Sequence, residues 1–355
     1  MKKVLTKSFA TLFIFLSTGL FTSMYADEWT EKVVADKKFE INKNATLVID
    51  HEFGDVKCRN WNKNEISVKA IVRAKTSDAQ KAEKIINKVS VEVKGNKDKV
   101  VVECDLNQKN SGNKNINVNI DLEIFMPSTV SLEFDHSFGS AYIESVSGQA
   151  NISCEYGSIE IASLSNAENK LEIMFSEANV NEINDGKLEV SYSQLDIKTS
   201  NNLSVESEYS DISFDKMKSA RFELEGGNVA IGQIDELKLE TSFTNVDVLN
   251  ISESIRAELE YGVLNVKNVG KDFSLIDIEN LFGAVEINFP IDASYSFKVN
   301  GEFCTFDFPE ELASIQYKSD SNFSTSVAGY IGKVANPKST IKVESKYGTV
   351  NFTAK

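Results

Sequence analysis

Histidine, tryptophan, cysteine and proline are scarce in this chain, with 2, 2, 4 and 4 copies among 355 residues. Two histidines, each set in Asp-His-x-Phe-Gly at His51 and His136, are a thin basis for a metal centre, and Cys58, Cys104, Cys154 and Cys304 match no metal-ligand spacing. None of the cysteines shows the neighbouring base that a thiol nucleophile needs. They read either as small buried hydrophobes or, for Cys58 and Cys104, as one disulfide that export would permit. Few prolines beside 22 phenylalanines exclude a disordered chain. Positive charge is also in deficit, with Lys+Arg 38 against Asp+Glu 53 and a formal charge of −15. Such a chain repels nucleic acid and anionic membrane surfaces, so no nucleic-acid partner is expected. Gly-x-Ser-x-Gly, His-Glu-x-x-His and phosphate-loop motifs are missing.

Long apolar runs are missing as well, with one exception. Lys2, Lys3 and Lys7 precede an apolar run from Phe9 to Phe21, and Thr22 to Ala26 follow with small residues. This reads as a signal peptide over 1–26, cleaved near Ala26. The run falls short of the about 20 residues a membrane helix needs, so no transmembrane segment is expected in the mature chain. No cysteine sits at the cleavage point to take a lipid. Losing Lys2, Lys3 and Lys7 moves the formal charge from −15 to −18.

What the chain has in abundance is one phrase. It recurs as Tyr156-Gly157, Phe175-Ser176, Tyr192-Ser193, Tyr209-Ser210, Gly226-Gly227, Phe243-Thr244, Tyr261-Gly262 and Phe282-Gly283, with first residues 17 to 21 positions apart. A fixed period signals a repeat architecture. Apolar residues stand four and two positions before the aromatic, as in Leu188 and Val190, and three and five after it, as in Leu195 and Ile197. Alternation of this kind means strand, so each repeat is two short strands joined at the small residue. A further apolar residue eight positions on, such as Leu164, Ile183 or Met217, closes the coil. Stacked at about 4.8 Å, such coils share a core that one coil alone cannot build. The expected fold is all-β, a single-stranded β-solenoid or β-helix with coils of 16–21 residues. Counted from the residues before it, the aromatic has inward parity. Its side chain is therefore expected inside the bend as core packing, with an exposed sugar-binding strip as the alternative.

Around this regular region, expected over 129–292, the chain carries a lead-in and a cap. In the lead-in, 27–128, Thr46 to Trp61 repeats the phrase around Phe53-Gly54. Ser77 to Val89 predicts the one helix, capped by Ser77 with Ala79, Ala82, Ile86 and Val89 on one face. The runs flanking Gly95-Asn96 predict a hairpin, and Asn107 to Asn115 a loop. In the cap, 293–355, Phe303 and Tyr347 head two more coils, separated by an irregular insertion from Pro309 to Pro337. Terminal coils must differ because an open strand edge invites aggregation.

The exported start, the Phe-Gly coil ending in Trp61, the helix before a hairpin, Phe125-Met126-Pro127 leading into repeated Phe/Tyr-Gly units, and the closing Tyr347-Gly348 resemble the bacterial envelope proteins grouped as putative adhesins of β-solenoid type. The resemblance implies that fold and an envelope location, and it carries no catalytic residues. This chain departs from the glycine-dense pattern by placing Ser176, Ser193, Ser210 and Thr244 at the bend.

Three outward columns are the remaining candidates for chemistry. Glu172, Glu189, Glu206, Glu223, Glu240, Glu258 and Glu279 stand three residues before the aromatic, a like-charge ladder that needs compensation. Lys170, Lys187, Arg221, Lys238 and Arg256 supply it two residues earlier, while Glu155, Glu208, Glu225 and Glu260 keep the face negative. Such a face reads first as a solvated surface. The alternative is a stripe for a basic ligand or for Ca²⁺, the one cofactor the carboxylates could suit, although no Asp-rich calcium loop accompanies them. The two Asp-His pairs are expected to be neighbours if the Phe53 coil stacks on the Phe138 coil.

These readings predict a non-catalytic, exported cell-envelope protein, in the periplasm or at the cell surface, serving as an adhesin-type binding or scaffold module. Its partner would be a surface glycan or an envelope protein. A glycan-acting β-helix hydrolase or lyase and a purely structural periplasmic spacer are the alternatives. Carboxylates spread evenly along ladders, rather than gathered at one level, favour the module over the enzyme.

Overall fold

The computed structural model describes residues 28–76, 78–106 and 117–355. The expected signal peptide, Ser77 and the expected loop at 107–115 lie outside the described residues. Within them the chain is all-β with a single α-helix, and its strands join one hydrogen-bonded sheet system.

The repeats pair with one another in parallel and in register. Asn169–Met174 lies beside the stretch 186–191, and that stretch beside 203–208, so that Leu171, Leu188 and Val205 form one column. The strands that follow the aromatic do the same, with Val180 beside Ile197 and Val246 beside Leu264. Offsets are 17 residues through most of this region and 21 where Leu275–Leu281 joins Asn245–Glu260. Alternation places the columns as expected. Leu188, Val190, Leu195 and Ile197 are buried, and so are the closing residues Leu164, Ile183, Met217, Ile234, Ile251 and Val269.

The aromatics do not follow that expectation. Phe138, Tyr156, Phe175, Tyr192, Tyr209, Phe243, Tyr261, Phe282, Phe303 and Tyr347 are all between 44% and 64% exposed. They do form a stack, with centroids 4.8 to 5.5 Å apart, but on the outside of the corner. The cause is the backbone. These ten and Phe53 have φ between 46° and 61°, the left-handed region that L-residues rarely enter. One left-handed residue reverses the pleat, so the inward parity counted from before the aromatic gives way to the outward parity counted from after it. Strain of about 1 kcal/mol or more per residue is comparable to the about 0.5–1.5 kcal/mol that each ring pair returns.

The small residue after the aromatic turns inward and ties neighbouring repeats together. Ser176 N–H donates to Ser193 Oγ at 3.0 Å, and Ser193 Oγ donates to Ser191 O at 2.7 Å. Ser193 N–H donates in turn to Ser210 Oγ at 3.1 Å. Where glycine stands instead, the backbones close up. A Cβ on Gly262 would lie 2.3 Å from the Thr244 carbonyl oxygen.

Both ends depart from the regular pattern. Thr46–Asn60 pairs in parallel with Ser131–Val146, setting His51 beside His136 and Gly54 beside Gly139. Antiparallel strands Glu28–Glu40 and Glu65–Thr76 close that end. The helix spans Ala79–Ile86 with Asp78 as its cap, accepting from the Gln80 and Lys81 amides, and Ala82 and Ile86 face the sheet while Ala79 is exposed. Ser90–Gly95 and Lys99–Asp105 form the expected hairpin.

At the other end the spatial order differs from the chain order. Ser339–Lys346 lies between Leu275–Leu281 and Tyr295–Glu302, so the last coil inserts between two earlier ones. The supposed irregular insertion contains an antiparallel pair, Ala313–Asp320 with Ser324–Ile331, whose second strand also pairs with Tyr295–Glu302.

The corner hydrogen bonds predict a measurable cost. Ser193→Ala leaves the Ser176 amide without its acceptor and should lower unfolding free energy by about 1–3 kcal/mol in urea titrations. A change no larger than that of an exposed Glu→Gln control would contradict the inter-repeat role of the serine.

Candidate binding surface

The glutamate column forms as the repeat requires. Glu172 lies beside Glu189, Glu189 beside Glu206, Glu240 beside Glu258 and Glu258 beside Glu279. The inserted last coil then adds Glu344, a member that chain order conceals. Compensation runs between repeats as well as within them. Lys170 reaches Glu189 at 3.2 Å, Lys187 reaches Glu206 at 2.8 Å and Arg221 reaches Glu240 at 3.0 Å. Burial raises the Glu189 carboxyl pKa, but Lys170 and Lys187 outweigh it and hold the group below its ordinary range.

Compensation then fails. Among the described residues, Glu258 and Glu279 take part in no ion pair, and the cationic column, already broken by Ser204 beside Lys187, is broken again by Asp277 between Arg256 and Lys342. A concave surface of about 910 Å³ takes in this stretch together with the ion-paired Glu206, Glu223 and Glu240. One column of glutamates runs along it from Glu206 to Glu344 and a second from Glu208 to Glu260, with Phe243 at one side and Lys346 as its single lysine. Among the described residues no group of three or more His, Cys, Asp or Glu side chains is arranged to hold a metal ion.

At the opposite end the column begins with Asp50 beside Asp135. Burial, and then the charge of Asp50, raise the Asp135 carboxyl above its usual range.

His51 and His136 meet in the interior. Their rings stack with centroids 5.1 Å apart, and the two Nδ1 atoms are 3.0 Å apart. His51 Nε2 lies 2.6 Å from the Ile120 carbonyl oxygen, so that nitrogen carries the proton. His51 Nδ1 is then the acceptor and His136 Nδ1 the donor, with both rings neutral. His136 Nε2 is left buried without a hydrogen-bond partner. Burial lowers the His51 pKa to about 4 against the hydrogen bond to Ile120, and burial lowers that of His136 too.

The cysteines are free thiols. Cys58, Cys104 and Cys154 are buried, and burial pushes Cys58 and Cys104 up to about 12. The bridge weighed between Cys58 and Cys104 does not form.

No protein-family model matches the chain, and no curated protein matches it. Solved structures do. A putative adhesin from Parabacteroides distasonis is similar over 92% of this chain and 97% of its own, at 10% identity and a TM-score of 0.35. A putative adhesin from Parabacteroides merdae covers 90% and 95% at 10% identity and a TM-score of 0.34. A putative cell adhesion protein from Clostridium sporogenes covers 93% and 100% at 10% identity, with a TM-score of 0.19. Superpositions this loose leave the role of the chain to its own residues. No helix among the described residues is long and apolar enough to cross a membrane.

Two outcomes follow from this geometry. The histidines bind protons more weakly folded than unfolded, so the unfolded chain takes up more protons between about pH 6.5 and 4. Stability is complete above that window and is lost as pH falls through it, by on the order of 3 kcal/mol for His51. Melting midpoints compared at pH 7 and 4.5 should fall less in the double variant H51L/H136L than in the parent. Lys187→Met, by contrast, removes only exposed ion pairs and should shift stability by less than about 1 kcal/mol. A larger loss in urea titration would give the ladder a structural weight that this geometry does not.

Proposed function

We propose that the chain is an exported β-solenoid serving as a non-catalytic, adhesin-type binding or scaffold module of the cell envelope, and that the acidic concave face meets its partner. The observation that carries this reading is the make-up of that face. Its carboxylates belong to two regular columns that stand side by side. While Lys187, Arg221 and Lys238 pair with Glu206, Glu223 and Glu240, the larger share, Glu208, Glu225, Glu258, Glu260, Glu279 and Glu344, takes part in no ion pair among the described residues. A general acid and base for glycan cleavage would sit at one level and in unlike environments. A surface built from a translational repeat instead offers the same charge at every step, which suits an extended basic partner held by many equivalent contacts. Such contacts act mainly through long-range attraction and speed of encounter, and they weaken with salt.

In-register parallel pairing at offsets near 17 residues supports the solenoid. The apolar run behind three lysines at the start of the chain supports export. The partner would be a basic envelope or surface protein. The glycan-cleaving alternative rests on Asp50 and Asp135, adjacent in register, with the Asp135 carboxyl raised by burial.

Calorimetry with hexa-lysine as the probe tests the acidic face. Binding is expected at low salt, with affinity falling at least about tenfold in the triple variant E223Q/E240Q/E258Q. Equal affinity in the parent and the variant would overturn the assignment of the face. Protease sensitivity of the protein on intact cells would separate a surface location from a periplasmic one. If Asp135→Asn abolished release of sugars from a glycan mixture, the enzyme reading would replace this one.

A further inference from the structure

Gly226 holds the one corner, among those described, where the aromatic ring is missing. Gly226 keeps the left-handed φ of the corner, +70° against 46° to 61° at the ringed corners, and Gly227 after it is left-handed too, at +85°. On one side the stack runs Phe53, Phe138, Tyr156, Phe175, Tyr192, Tyr209, and on the other Phe243, Tyr261, Phe282, Tyr347, Phe303.

Stacking decides what such a ribbon can bind. Rings about 5 Å apart cover one another's faces and show solvent their edges, whereas sugars and flat cations bind to faces. Along the stack, faces come free only where it is interrupted. Phe243, 64% exposed, is the most exposed ring of the ribbon. Tyr209 is two repeats away, a separation of about 10 Å at the usual strand spacing. A flat group in van der Waals contact with both rings needs about 7 Å between them.

Tyr209 already leans toward the opening. A Cβ on Gly226 would lie 2.7 Å from Tyr209 Cδ1. The ring is tilted 16° from Tyr192, the largest tilt between stacked neighbours of the ribbon, and its hydroxyl is 3.4 Å from Glu225 Oε1.

The charge around the slot selects the guest. Glu208 and Glu225 stand at its rim and Glu260 one repeat beyond Phe243, and among the described residues none of them joins an ion pair. Glu225 is also the largest cause of a raised Tyr209 hydroxyl pKa. A neutral sugar would leave these carboxylates uncompensated. A lysine ammonium is compact and strongly hydrated, whereas a guanidinium is flat, weakly hydrated, stacks on aromatic faces and forks onto carboxylates.

We propose that the gap at Gly226 is a binding slot for an arginine side chain of a basic partner, stacked between Tyr209 and Phe243 and paired with Glu225 and Glu208. This rests on the acidic face being the partner surface, and it names the one position on that surface where the type of cation matters.

The test compares hexa-arginine with hexa-lysine by calorimetry on the full mature chain. Hexa-arginine is expected to bind the parent at least about tenfold more tightly than hexa-lysine. Gly226→Tyr places a ring where the backbone is already left-handed. It should reduce hexa-arginine binding to the hexa-lysine level once the Tyr209 ring, 2.7 Å from the new Cβ, shifts back toward Tyr192. Phe243→Leu removes one wall and should do the same, which keeps the test decisive if Gly226→Tyr does not fold. Equal affinity for the two peptides, or an arginine preference that survives both substitutions, overturns the slot while leaving the acidic face standing. Binding of neither peptide overturns both.

Discussion

The repeats depend on one corner, where, at every described copy but Gly226, an aromatic residue in the left-handed region is followed by a small residue that the next repeat nearly touches. The corner joins two strands whose side-chain phases differ by one residue. It also sets how closely repeats approach, through the Ser193 hydroxyl that accepts from the neighbouring repeat and through Gly262, where a Cβ would meet the Thr244 carbonyl oxygen. Left-handed backbone is costly for a Phe or Tyr, and the same register that imposes it stacks the rings that offset it. Strain and stacking are therefore two consequences of a single geometry, copied from repeat to repeat.

That geometry explains the surface. In-register parallel stacking turns each position of the phrase into a column, so one acidic position becomes a line of carboxylates and one basic position a line of cations. Where a cation stands in line, as at Lys170, Lys187 and Arg221, the charges cross-link neighbouring repeats. Where Asp277 stands between Arg256 and Lys342, Glu258 and Glu279 are left without an ion pair among the described residues. The unpaired carboxylates arise here from a fault in the repeat. The missing ring at Gly226 is a second fault of the same kind.

The ends show how a repeating sheet is stopped. Antiparallel strands cover one terminus, and an antiparallel pair flanks Tyr295–Glu302 at the other. The last coil enters between two earlier ones, bringing Tyr347 between Phe282 and Phe303 and Glu344 beside Glu279. The two histidines belong to the other end, where Thr46–Asn60 meets Ser131–Val146 and an uncharged imidazole pair is locked into the interior.

Alternation in the amino-acid sequence determined the strands, the buried columns around Leu188, Val190, Leu195 and Ile197, the helix and hairpin of the lead-in, and the alignment of the seven glutamates, because these depend on local period alone. The neighbourhood of His51 and His136 was legible for the same reason, since equal places in a repeat become neighbours when repeats stack. Three things were decided only in three dimensions. The outward turn of the rings depends on a backbone sign that no residue count contains, and the place of Tyr347 and Glu344 depends on a coil that enters out of turn. The meaning of Gly226 required both, for a missing side chain becomes a slot only when its neighbours are known to stand outside, face to face, with carboxylates at the rim.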